Sequence, residues 1–349
     1  MRLISVAFIL LIVSACKEPD VTQPIDQMKN GMLVLCEGLY QQSNASLSWV
    51  DLSDENVYND FFTTKNGENL GDTGNDLKVY GNKIYIILAG SNTVEVLNKK
   101  TGSRIKQISM LNGSQSKTPR AIAFYNGKAF VACQDGFVDV IDTISLTIAT
   151  RIQVGSNPED LAVANNKLYV SNSGGLNFPN YDSTVSVVNL STFTEVKKIA
   201  VGMNPGCIIE DDAGDIYVVT RGDYSAIPSR MHRINTTTDD LTQSFSFDAL
   251  SISKMAGNFL VTYYNYTTQQ HTIRLFDPLT EQLLADPFFS APEVQTLYGI
   301  EYDEHRNKIF CLDALNFTNT GFVRQYSSAG VYEKSFHVGL NPNSILVYD

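Results

Sequence analysis

A chain of 349 residues, 43% apolar and only 18% charged, can bury a large core and is not composed like a disordered protein. Its formal net charge of −11 at pH 7 makes it a poor partner for nucleic acid or for an anionic bilayer surface. The 17 Tyr and 18 Phe, with recurrent Thr and Val and a single tryptophan at Trp49, favour strands over helices.

The chain opens with Arg2 and the apolar run Leu3 to Val13, which has the length of a signal-peptide hydrophobic region and is too short to span a bilayer. The run ends in Val13-Ser14-Ala15-Cys16, which resembles a bacterial lipobox. Residues 1–15 are therefore expected to be a removed signal peptide and Cys16 to carry lipid. Lys17-Glu18-Pro19-Asp20 resembles the surface-export signal of gut-bacterial lipoproteins, which implies an outer-membrane protein facing the cell exterior. Residues 16–30 read as a flexible tether and 31–349 as the folded domain. Membrane association is expected through the lipid anchor alone.

From residue 31 onward the chain repeats itself. Val154-Gly155-Ser156-Asn157-Pro158, Val201-Gly202-Met203-Asn204-Pro205 and Val338-Gly339-Leu340-Asn341-Pro342 nearly coincide. Their spacing fits a unit of about 46 residues, enough for the four short strands of a propeller blade. Strands such as Lys83 to Ile86, Lys128 to Val131 and Lys167 to Val170 recur once per unit, beginning with the truncated Met32-Leu33-Val34. A turn follows the next strand of each unit: Asp51 to Asp54, Asn98 to Thr101, Asp142 to Ser145, Asn189 to Thr192, Asn235 to Thr238, Asp277 to Thr280 and Ser327 to Gly330. Most of these open on Asp or Asn, whose side chain accepts a backbone N–H two residues on. Both series count seven. The expected fold is all-β, a seven-bladed β-propeller of four-stranded blades.

The ends of the chain are complementary. The first blade lacks an inner strand, and Asn341 to Val347 matches the inner-strand opening Asn157 to Val163. The C-terminal strand is thus expected to complete blade one and remove an open edge. Pro119, Pro158, Pro205 and Pro342 stand at the first residue of inner strands, where no ladder donor is lost.

The loops between second and third strands, with the inner-strand starts, should surround one mouth of the central channel. Those of blades two and three are minimal turns, whereas the others are long and rich in aromatics and amides. Candidate ligand contacts from the loops are Tyr40, Gln42, Asn177, Phe178, Tyr181, Tyr224, Tyr264, Asn265 and Phe317, with Tyr266 nearby. Asn75, Arg120, Asp160 and Tyr298 are expected on the channel floor. Such chemistry suits a large, weakly charged ligand with apolar faces and amide or hydroxyl groups. The four histidines, His232, His271, His305 and His337, have no partner at metal-ligand spacing, and no GxSxG, HExxH or P-loop occurs. No catalytic residue, metal or cofactor is therefore expected. Cys36, Cys133, Cys207 and Cys311 lie singly in strand patterns and read as buried free thiols.

Tyr169-Val170-Ser171-Asn172 resembles the tetrapeptide of the YVTN propeller repeats. Leu35-Cys36-Glu37-Gly38, Asn44 to Ser48 and the Gly67 to Asp72 turn resemble the first blade of gut-bacterial surface propeller lipoproteins, with Cys36 where that group carries Asn. Among these are the BtuG-type cobalamin-binding propellers. The resemblance implies capture of cobalamin or a related corrinoid and its delivery to a TonB-dependent outer-membrane transporter. A surface scaffold or adhesion propeller is the alternative, and a propeller lyase or lactonase a further one. Asp142-Thr143-Ile144 and Asp182-Ser183-Thr184 resemble the O-glycosylation tripeptide of the same bacteria.

Overall fold

The computed structural model describes residues 25–265 and 268–349. Blade two shows the plan of the ring. Gly74–Tyr80 lies innermost, followed outward by Lys83–Leu88, Thr93–Asn98 and Arg104–Ser109, each antiparallel to the one before. Five further blades repeat it, with inner strands Pro119–Tyr125, Pro158–Ala164, Pro205–Glu210, Ser251–Met255 and Leu297–Asp303. Blade one is closed by the chain end. Its second strand, Gly31–Cys36, pairs on one side with Ser46–Asp51 and on the other with Pro342–Tyr348. Each inner strand touches those of both neighbours, so the seven sheets form a ring around a central channel. Among the described residues no helix is long and apolar enough to cross a membrane.

Period-two alternation builds the core. Ile84, Ile86 and Leu88 face blade one, while Tyr85 and Ile87, one residue out of step, face blade three. Seven apolar clusters result, one in each interface between blades.

The turns follow the sequence expectation. Asn98, Asp142, Asn189 and Asn235 each accept two backbone N–H bonds from the following residues, and Asp51 and Asp277 accept one. Thr143 is buried there, donating to the Gly127 carbonyl, so the Asp142-Thr143-Ile144 tripeptide does not present its hydroxyl.

The Val-Gly-x-Asn-Pro repeat also has a structural cause. Asn157, Asn204 and Asn341 are left-handed (φ 46, 59 and 57), a conformation asparagine tolerates better than most residues. The carbonyl of each accepts from the residue that directly follows the blade's second strand: Ser173, Arg221 and Glu37. A Cβ on Gly155 would lie 2.3 Å from the Asn172 side chain, whose Oδ1 accepts the Gly155 N–H at 3.0 Å. In blade one Cys36 occupies the place of Asn172, and Ser48 Oγ accepts from Gly339 instead, at 3.1 Å.

Three features depart from expectation. The outer strand of blade one is only Val57–Tyr58, and a short helix, Phe61–Asn66, sets Phe61 and Phe62 against Trp49 in its stead. The tether is not free up to residue 30: Met28 is buried, its N–H donates to the Lys100 carbonyl at 2.7 Å, and Ile25 packs beside it. Cys207 is half-buried on the channel wall, whereas Cys36, Cys133 and Cys311 are buried and all four are free thiols. The signal peptide, Cys16 and Tyr266 lie outside the described residues.

Candidate functional site

An antiparallel blade places its inner-strand start and its second-to-third-strand loop on the same face. That face surrounds a channel of about 590 Å³ lined from all seven inner strands. In six of the seven blades the second residue of the inner strand forms the first layer of the mouth: Asn343 in blade one, Asn75 in two, Arg120 in three, Glu159 in four, Gly206 in five and Tyr298 in seven.

Gly206 leaves room. A Cβ on it would stand 2.8 Å from the Arg221 guanidinium carbon, so the missing side chain lets Arg221 reach into the channel from the adjoining loop. Arg120 and Arg221 then converge on one atom, Glu159 Oε1, at 3.0 and 3.2 Å. Burial pulls the Glu159 carboxyl up, but the two guanidiniums outweigh it and hold it below its ordinary value. Across the mouth Tyr298 donates to Glu37. Burial raises the Glu37 carboxyl, against that hydrogen bond and the charge of Arg120.

Deeper in, Asp76 accepts from Ile122 N–H at 2.9 Å and Asp160 from Ile208 N–H at 3.1 Å. These two carboxylates tie neighbouring inner strands together. Burial pushes Asp160 up to about 6, although Lys78 opposes it. Glu301 is raised to about 7 by desolvation within the channel and by Asp303.

Aromatic side chains cluster on the loops of the same face. Phe178 and Tyr181 meet edge-on with ring centres 6.0 Å apart, and Tyr181 meets Tyr224 at 6.3 Å. The Tyr224 hydroxyl accepts from Asn204 Nδ2 at 3.2 Å, which seats the ring beside the blade-five mouth. Phe178 and Tyr224 are 73% and 65% exposed, so little of either apolar face is covered. Tyr298 and Phe317 form a second edge-on pair at 5.3 Å. Tyr40 is exposed, and so is Gln42, in a turn pinned by its N–H to the Leu39 carbonyl.

Asn75, Arg120, Asp160 and Tyr298 therefore share the channel, and Phe178, Tyr181 and Tyr224 form one rim cluster. Asn177 belongs elsewhere, lining a smaller cleft with Gln134 and Asp182 between blades three and four. Tyr264 and Asn265 are not in a free loop: the second strand of blade six runs on to Asn265. Tyr264 packs on His271 at 4.8 Å there, and Asn265 Oδ1 accepts from Thr268 N–H. Sequence reading passed over Glu159, Arg221, Glu37 and Asn343. Blade alignment carries a signal for two of them: Glu37 and Arg221 hold the position that is Ala89, Ser173 and Ala314 in other blades.

The histidines sit in strands and turns. His232 is buried within hydrogen-bond distance of Thr220 and Ser244, and burial, with Arg230, lowers its pKa to about 4. Among the described residues no group of three His, Cys, Asp or Glu is placed to hold a metal ion.

Residues 30–310 match the family model described as "Domain of unknown function (DUF5074)". No curated protein matches the chain. Among solved structures it is similar to a quinonprotein alcohol dehydrogenase-like protein from Bacteroides thetaiotaomicron, with TM-score 0.68 and 13% identity over 92% of this chain and 79% of that one. It is also similar to Kuenenia stuttgartiensis hydrazine synthase, with TM-score 0.59 and 11% identity over 75% and 85%. The computationally designed Ika8 protein aligns with TM-score 0.56 and 12% identity over 92% of each chain. At these identities the likeness is one of fold.

Proposed function

The chain belongs to the DUF5074 family, and on that premise we propose that it is a non-catalytic binding propeller which captures a corrinoid, with cobalamin as the specific candidate. The observation that carries this reading is that exposed aromatic rings, Phe178, Tyr181 and Tyr224, cluster on loops of the same face of the ring as a hydrogen-bonding channel floor that includes Asn75 and Arg120. A corrin ring offers an apolar face and a rim of primary amides, and needs both kinds of surface. Lipidation at Cys16 would hold the protein on the outer membrane, facing outward. The captured ligand would then pass to a TonB-dependent transporter.

Spectral or calorimetric titration with cyanocobalamin tests the reading. Saturable binding at micromolar ligand is expected; an absence of binding there overturns corrinoid capture. Labelling with a fatty-acid analogue tests the anchor separately: the parent should take up label and Cys16→Ala should not.

A further inference from the structure

Among the described residues nine buried side-chain polar atoms have no hydrogen-bond partner, and three of them belong to side chains on consecutive blades. Asn343 Oδ1, Asn75 Oδ1 and Arg120 Nε are buried to the atom and have no hydrogen-bond partner. All three residues line the same channel mouth. Buried polar atoms without partners are costly and uncommon, so three together call for an explanation. The Asn343 amide is oriented by its other end: Nδ2 donates to the Gly74 carbonyl at 2.6 Å, which leaves Oδ1 as an acceptor. Arg120 is committed to Glu159 through Nη2 alone, which leaves the Nε–H as a donor.

We propose that this floor is a subsite for a primary carboxamide, –C(=O)NH2. The mouth offers two acceptors and one donor. A primary amide is the small neutral group with the complementary set, two N–H donors on one side and a carbonyl acceptor on the other. An ammonium has donors only and would face Arg120 unfavourably. A carboxylate or phosphate has no hydrogen for either asparagine oxygen, and Glu159 already neutralises part of the guanidinium charge. A single hydroxyl satisfies one acceptor and leaves the other bare. The ligand carbonyl would accept from Arg120 Nε–H, while its NH2 would donate to Asn75 Oδ1 and Asn343 Oδ1.

The subsite rests on the binding reading above but is tested apart from it, with two probes. Cyanocobalamin titration should show Asn75→Leu weakening binding about tenfold, the worth of one lost buried hydrogen bond, while Asn75→Asp, which keeps an acceptor, retains most affinity. Both variants should melt like the parent, since Asn75 makes no hydrogen bond through Oδ1 to lose. Ligand-observed NMR should in addition show benzamide binding weakly to the parent, benzoate binding less, and benzamide binding abolished by Asn75→Leu. If cyanocobalamin binds and Asn75→Leu changes nothing, the atoms are served by water alone and the amide subsite is overturned while capture stands. If benzamide binds in the Asn75-dependent way but cyanocobalamin does not, the subsite stands and the corrinoid reading falls. A preference for benzoate over benzamide makes the mouth an anion site and overturns the proposal, as does the failure of both probes to bind the parent.

Discussion

The two faces of the ring are built from the same strands and have been treated differently. On the turn face six blades close their third-to-fourth-strand turns with an Asp or Asn that accepts the same backbone bonds. The seventh uses Ser327, whose hydroxyl accepts from Val331 N–H. On the mouth face the corresponding connections run from the short turn after Cys133 to the long excursion of Gly174 to Asp182, and they hold exposed aromatic rings. Repetition marks the face that sets geometry. Divergence marks the face where one blade is free to differ from the next, which is where a binding site is assembled in a repeat fold.

The largest way to break this comparison is to open the ring. Deleting residues 341–349 removes the strand paired to Gly31–Cys36, exposes the inner edge of blade one and strips packing from the inner strands of blades two and seven. Aggregation, or loss of the cooperative melting transition, is expected by light scattering and calorimetry. A truncated chain melting like the parent would show that neither face depends on closure.

Acid probes the mouth side. His232, beside Gly202 under the blade-five mouth, has its pKa lowered from 6.5 to about 4 because burial disfavours its cation. Its contribution to stability is complete above pH 6.5, where it is neutral folded and unfolded alike. It is lost as pH falls towards 4, since only the unfolded chain takes up the proton readily. The loss should be on the order of a few kcal/mol, read as a falling urea midpoint, and His232→Gln should flatten that part of the profile. Asp142, on the turn face, behaves oppositely to a buried group: its hydrogen bonds from Lys128 and two backbone N–H groups hold its carboxyl well below the usual range, so it stays ionised throughout this window.

A third set of changes separates binding from folding. Tyr181→Ala and Tyr224→Ala should each weaken cyanocobalamin binding by more than about tenfold, as truncated aromatic anchors do, with no change in melting. Loss of stability without loss of binding would reassign the rim cluster to packing. The smallest effect belongs to the turn face. Asn189→Ala removes two hydrogen bonds to backbone N–H groups and should cost about 1 kcal/mol by denaturant titration while leaving affinity untouched.

Much of the ring is legible in the sequence because its cues are local and periodic. The turn asparagines, the inner-strand prolines and the alternation of Ile84 to Leu88 each act within a few residues. Closure was readable because Asn341 to Val347 repeats Asn157 to Val163. The rim aromatics were readable by composition, but their pairing was not: Tyr298 donates to Glu37 across 261 positions of sequence. Arg221 in the channel depends on the absence of a side chain at Gly206, a space that no spacing rule announces. The blade-one helix was missed because Phe61 and Phe62 carry no helical period, only two adjacent apolar residues that needed cover. Tyr264 and Asn265 read as loop residues because polar and aromatic residues follow one another there, although the strand ladder continues through them.

The strand that closes the ring sets a timetable for the newborn chain. Gly31–Cys36 is buried along its whole length, GMLVLC, and its inner neighbour, Pro342–Tyr348, is made only after the other six blades. At about 5–20 residues per second, the interval between making the two is roughly 15 s to a minute. Throughout it one flank of the most apolar strand in blade one has no permanent mate. Every other blade receives its four strands within a single unit of chain. Blade one is therefore begun before blades two to seven and completed after them, and its early half must be shielded from other chains until Pro342–Tyr348 arrives.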